Sequence, residues 1–200
     1  MRILSIALLL SIFMSGCALL NKYSMHNHSE FELEESDIRK IHDFNWMTEC
    51  YEKRIELGDE QIKEIEKHGI NITSDDRLIN YIRVIREKSG GSIGGNIFVI
   101  KGTGEFSHYE LLVCIHNGLI NEIYVRNNPK NEKRNEVINK DFLNQFIGRT
   151  LEQSFELREN TEDLVVTPIK LAGIRNAPAI SKDIALKLKK VLAIARALKL

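Results

Sequence analysis

The stretch Tyr109–Val125, YELLVCIHNGLINEIYV, decides the fold class. Two β-rich runs, Tyr109 to His116 and Leu119 to Val125, flank the dipeptide Asn117-Gly118. Asn-Gly between two such runs signals a hairpin, because a type I′ turn needs positive φ at both central residues. Leu111, Val113 and Ile115 fall on one face of the first strand; Leu112, Cys114 and His116 fall on the other. Both faces therefore call for some cover.

Working outward, Ile97 to Ile100 reads as a short apolar strand, with Gly102-Thr103-Gly104 as the turn that follows it. Downstream, Asn127 to Lys140 reads as a charged, asparagine-rich loop. Asp141 to Gly148 makes two helical turns closed by glycine, and Leu164-Val165-Val166 reads as a last strand. Ser181 is placed to cap a final helix with Asp183 in its first turn. Ile184, Leu188, Val191, Ala195 and Leu198 supply its apolar stripe. Lys187, Lys189, Lys190, Arg196 and Lys199 give that helix a basic side. Such a side can lie on an anionic membrane or face water while the helix covers a sheet; the pattern reads better as the second.

Residues 36–89 read as helical. Ser36 offers a cap for a first helix through Ile38, Ile41, Asn45 and Trp46. A second runs from Asp59 to His68 and stops at Gly69. A third starts after Thr73-Ser74-Asp75-Asp76, with Leu78, Ile79, Ile82 and Ile85 at three- and four-residue spacing. Gly90-Gly91-Ser92-Ile93-Gly94-Gly95 then separates the halves. It lacks the Lys-Ser/Thr that a nucleotide-cradling loop needs at a helix start, so it reads as a joint or a place of close backbone approach. The expected class is α+β: a small, mostly antiparallel sheet with a covering C-terminal helix, preceded by a helical N-terminal segment.

The chain begins with Arg2, a 12-residue apolar run from Ile3 to Met14, the small pair Ser15-Gly16, and Cys17. Charged head, apolar core and small-residue site describe a secretory signal, and the run is too short for a lasting membrane span. With Cys17 directly after the small pair, the segment resembles the lipobox of bacterial lipoproteins. That resemblance implies cleavage before Cys17, acylation of its thiol and a membrane anchor through the acyl chains. Ala18 takes the place of the aspartate that resembles an inner-membrane retention signal. The expected location is thus the bacterial cell envelope, at the outer membrane facing the periplasm where the host has one. The domain reading is a signal peptide over 1–16, a polar tether over 17–35, a helical segment over 36–89 and an α+β domain over 90–200.

Removing residues 1–16 takes away Arg2 and leaves 27 basic against 28 acidic residues in a mature chain of 184. This near-balance offers no broad attraction for nucleic acid. Cys50 and Cys114 remain, either as one disulfide in an oxidising envelope or as small packed hydrophobes. His26 and His28 sit in the tether without a third ligand nearby, and His108 and His116 read as polar strand ends. No spaced acid/base pair assigns a catalytic activity.

The order and wording of the second half ("GGNIFVI", "YELLVCIHNGLINEIYV", "FLNQFIGRTL" and "NAPAISKDIALKLKKVL") resemble the FMN-binding domain of periplasmic subunits of electron-transport complexes over about residues 90–198. The family's flavinylation motif carries Ser/Thr-Gly-Ala-Thr-x-Ser/Thr-Ser before the last helix, and its Thr takes FMN through a phosphoester. Here the matching stretch is Arg175-Asn176-Ala177-Pro178-Ala179-Ile180-Ser181. Proline at 178 has no hydroxyl, so the resemblance implies at most FMN held non-covalently. Arg175, Asn176 and Ser181 are then the phosphate-binding residues, helped by amides at the helix start. The other reading of the same residues is a turn, a stiffening proline and a helix cap. Two functions stay open: a lipid-anchored envelope protein with non-covalent flavin binding or electron transfer, and a non-redox lipoprotein that binds an envelope protein partner or ligand.

Overall fold

The computed structural model describes residues 37, 40, 41, 48–88, 91–133, 135–157, 171–174 and 177–200. Cys17 and the segments read above as a lipobox and a tether, Leu164–Val166, Arg175 and Asn176 lie outside the described residues. Those described fall within one unit, Ser36–Leu200.

At the hairpin, Asn117 has φ 51° and Gly118 φ 74°, as a type I′ turn requires. It joins β4 (Ser107–His116) to β5 (Leu119–Asn127). Upstream lie β1 (Thr48–Glu56), helix α1 (Asp59–Glu66), β2 (Leu78–Lys88) and β3 (Gly91–Gly104). The five strands form one antiparallel sheet in the order β1-β2-β3-β4-β5. Helix α2 (Lys140–Asn144) and helix α3 (Pro178–Ala197) follow. The α+β class with an antiparallel sheet and a C-terminal helix is the observed one.

Three expectations are corrected. The apolar stripe at 78–85 is strand β2, not a helix. Ile79 and Tyr81 join the core beneath α3, while Ile82 and Val84 are buried on the opposite face. A strand that buries apolar side chains on both faces loses the simple two-residue alternation, and periodicity cannot then separate it from a helix. The acids before it do cap a helical turn: the Asp76 carboxylate accepts from the Thr73 amide (2.9 Å) and hydroxyl (2.7 Å). That turn is a 3-10 turn of three residues only, Ser74–Asp76.

Second, the glycines at 91, 94 and 95 belong to β3, whose pairing with β2 removes any boundary at 89/90. A Cβ on Gly94 would stand 2.7 Å from the Val84 carbonyl oxygen, so bare backbone is required there. Third, Gly102 and Gly104 are also strand residues, and the chain turns at Glu105-Phe106. A Cβ on Gly104 would overlap the Ile180 side chain, and one on Gly102 would overlap the Tyr109 ring and the Asp183 carboxylate. These glycines let the first turns of α3 rest directly on the end of β3.

Helix α3 covers one face of the sheet. Ile180, Ile184, Leu188, Leu192 and Ala195 are buried against Phe98, Ile100, Leu111, Val113 and Ile115 within one core. Each large aliphatic side chain buried there contributes about 1.5–3 kcal/mol. Helix α1 adds Ile62 and Ile65 to the same core. It ends before Gly69, which has φ 73°. On the opposite face, Ile82, Val84, Ile97, Leu112 and Cys114 are buried. A helical stretch including Asp37, Lys40 and Ile41 reaches that side at β5: Asp37 pairs with Arg126 at 3.0 Å, and the Lys40 ammonium lies 5.2 Å from the centre of the Tyr124 ring.

Candidate ligand-binding site

Helix α3 starts at Pro178, with Ala177 as its cap residue. Proline suits the first helical position because it has no amide hydrogen to leave unpaired. The next two amides are taken. Glu105, on the β3–β4 turn, accepts from the Ala179 amide at 2.5 Å and from the Ile180 amide at 3.1 Å. Burial pushes the Glu105 carboxyl up, but backbone hydrogen bonds from its own amide and those of Ala179 and Ile180 outweigh this and hold it below the ordinary carboxylate range. A carboxylate at a helix start also interacts favourably with the helix dipole. The anion position at the head of α3 is filled from within the chain.

Ser181 is not the helix cap. It lies one turn inside α3 and is fully buried. Its hydroxyl donates to the Ala177 carbonyl (2.8 Å) and accepts from the Ile174 amide (2.7 Å). Both partners are backbone, so the side chain staples the incoming chain to the helix. Of the three predicted phosphate ligands, the structure describes this one alone.

Beside the helix head is a cavity of about 510 Å³. Phe106, Val137 and Ile174 form its apolar wall; Lys133, Glu136 and Asn139 are among its polar groups. The asparagines of the 128–139 loop build that wall. The Asn128 side chain donates to the Ile138 carbonyl (2.7 Å) and accepts from its amide (3.0 Å). The Asn131 side-chain oxygen accepts from the amides of Lys133 and Asn135, both at 3.0 Å. Asn139 caps α2 by accepting from the Phe142 amide at 2.9 Å.

A second cavity, about 430 Å³, lies along the ends of β3 and β4 that flank the Glu105-Phe106 turn. Its polar groups are largely satisfied by one another. Tyr109 donates to Asp183 (2.6 Å), Lys187 pairs with Asp183 (2.8 Å) and donates to the Lys101 carbonyl (2.7 Å), and Thr103 bonds His108 (2.8 Å). Burial, then the hydrogen bond to the Asp183 carboxylate, pushes the Tyr109 hydroxyl far above its ordinary range. The spacing of Asp183 and Lys187 marks an i,i+4 pair in the sequence. Glu105 gives no such signal, because its amide partners lie 74 and 75 residues away.

The basic side of α3 is tied to the protein itself. Lys190 pairs with Asp76 (2.5 Å), Lys189 donates to the His68 carbonyl (2.8 Å), and Arg196 pairs with Glu152. Cys50 and Cys114 are both thiols. They sit on β1 and β4, with two strands between them. At about 4.8 Å per strand spacing this is far beyond the Cα separation a disulfide spans. Burial, with the Glu122 carboxylate adding to it, pushes the Cys114 thiol up to about 12. Among the described residues no group of three or more His, Cys, Asp or Glu side chains is arranged to hold a metal ion, and no helix is long and apolar enough to cross a membrane. Neither a protein-family model nor a curated protein matches this chain.

Proposed function

We propose that this chain is a non-redox, lipid-anchored protein of the bacterial envelope whose α+β domain binds a ligand or partner protein at the cavity beside the head of α3. The observation that carries the reading is the Glu105 carboxylate on the Ala179 and Ile180 amides. A flavin phosphate bound there has to displace a carboxylate of its own charge sign. Pro178 has no hydroxyl for a phosphoester, and Ser181 spends its hydroxyl on Ala177 and Ile174. The residues described at this position do not fit a bound FMN. The cavity volume falls within the range of small-molecule pockets, and an apolar wall with polar groups around it suits a small amphipathic ligand or a side chain of a partner.

The anchor in this reading is Cys17, carrying acyl chains whose methylenes each contribute about 0.8 kcal/mol of membrane affinity. Flavin titration tests the functional half: the chain from Cys17 onward, with Cys17 replaced by serine, is mixed with FMN and followed by flavin fluorescence. Unchanged fluorescence up to high micromolar FMN is expected. Saturable quenching would restore the electron-carrier reading. Fractionation of cells expressing Cys17→Ala tests the anchor, with loss from the membrane fraction expected.

A further inference from the structure

Strand β1 is an edge of the sheet, and among the described residues it pairs with β2 alone. Of its side chains, Glu49, Tyr51, Glu52, Lys53, Arg54 and Glu56 are exposed, while Cys50 and Ile55 are half-buried. Among the described residues no strand pairs with the other side of this nine-residue strand, and such an edge offers a row of amides and carbonyls to another strand. Charged side chains ordinarily discourage such pairing, so the order of their signs decides which partner the strand accepts.

We infer that β1 pairs antiparallel with β1 of a second copy of this chain, about a two-fold axis at Tyr51. This register sets Glu49 opposite the partner's Lys53, and Lys53 opposite the partner's Glu49. Tyr51 meets the partner's Tyr51, Cys50 meets the partner's Glu52, and Thr48 meets the partner's Arg54. Two opposite-charge pairs form and no like charges face each other. Centring on Glu52, Lys53 or Arg54 brings that charged residue against its own copy. Centring on Cys50 forms no charge pair, and centring on Ile55 pairs Arg54 with Glu56 but overlaps only residues 54–56 of the strand. Within one chain the three side chains already lie together: the Tyr51 hydroxyl donates to Glu49, and the Lys53 ammonium lies 5.7 Å from the centre of the Tyr51 ring. They share one face of the strand, where cross-strand pairing can use them. At 42% exposure, Tyr51 also places a large aromatic ring at the centre of the open strand.

Sedimentation of the full chain, purified from membranes in mild detergent, reads the oligomeric state; a dimer is expected. Cross-linking then reads the register. In a Cys50→Ser background, Tyr51→Cys meets its own copy at a Cα separation of about 4.5–5.5 Å, within disulfide reach. It gives a covalent dimer on mild oxidation. Arg54→Cys, which faces Thr48, gives little. Charge exchange is the third reading. Glu49→Lys alone, or Lys53→Glu alone, puts like charges opposite each other twice and weakens the dimer by roughly tenfold. The double exchange Glu49→Lys with Lys53→Glu restores it. A monomer at all concentrations, equal cross-linking at 51 and 54, or single and double exchanges that behave alike would overturn the inference. Coupling of the Tyr51→Cys thiol to a different host protein, with the chain itself monomeric, would overturn it too.

Discussion

Glu105→Ala removes the carboxylate that receives the first two free amides of α3, and its cost follows from the geometry. Two backbone donors lose a charged acceptor at 2.5 and 3.1 Å. Glu105 is exposed, so water takes over much of the lost interaction. The comparison that applies is therefore a helix N-cap substitution, about 1 kcal/mol, rather than the loss of a buried ion. For a chain of this size that lowers the melting temperature by about 2–4 °C. Glu105→Gln keeps one acceptor oxygen but loses the charge, and falls between wild type and alanine. Because the folded-state carboxyl titrates below its ordinary value, its contribution is fully present above the unfolded carboxylate pKa. It is lost as pH falls through the folded one. Urea denaturation of wild type and Glu105→Gln, at pH 7 and again near pH 3, checks this. The gap between the two proteins closes in acid. Equal stability at pH 7, or a gap that persists undiminished at pH 3, would refute the capping role.

Three further outcomes follow from the packing. Ser181→Ala leaves the buried Ile174 amide without its acceptor and costs about 1–3 kcal/mol in urea denaturation. Gly104→Ala forces Ile180 off its seat on β3 and costs about 1–3 kcal/mol by the same measurement. In a Cys50→Ser protein, Cys114 stays unreactive toward a thiol reagent at pH 8, where burial keeps it protonated, and reacts promptly in denaturant. Prompt labelling of the native protein would mean that this face of the sheet is open.

Local chemistry made part of the fold legible. The β4–β5 hairpin was readable because Asn117-Gly118 fixes two positive φ angles without tertiary help. Helix α3 was readable because its apolar stripe repeats over 20 residues. Strand β2 was misread because isoleucines buried on both faces fall at helical spacing, and because the Thr73–Asp76 box caps a turn that stops after three residues. Strand β1, TECYEKRIE, has little apolar pattern at all. Its order comes from pairing with β2, which no short window of sequence contains. Glu105 was missed for the same reason, since only the packing of α3 onto Gly102 and Gly104 brings it to Ala179.

One of the segments on which the resemblance to flavin carriers rests, Phe142 to Gly148, is accounted for by packing. Phe142 and Phe146 meet edge to face at 5.2 Å, and Phe155 stacks on Phe146 at 6.0 Å. The Gln145 side chain pairs with both backbone groups of Ala172, at 2.7 and 3.1 Å. Gly148 takes φ 77°, and its amide reaches the Ile120 carbonyl at 2.7 Å. Each residue named serves to dock the 140–150 segment against β5 and the chain before α3. A flavin and an empty scaffold would need these contacts equally, so the likeness of this segment carries no information about redox chemistry. That information resides at positions 105, 178 and 181, where a carboxylate holds the helix amides, a ring replaces the hydroxyl, and the remaining serine is used by the backbone.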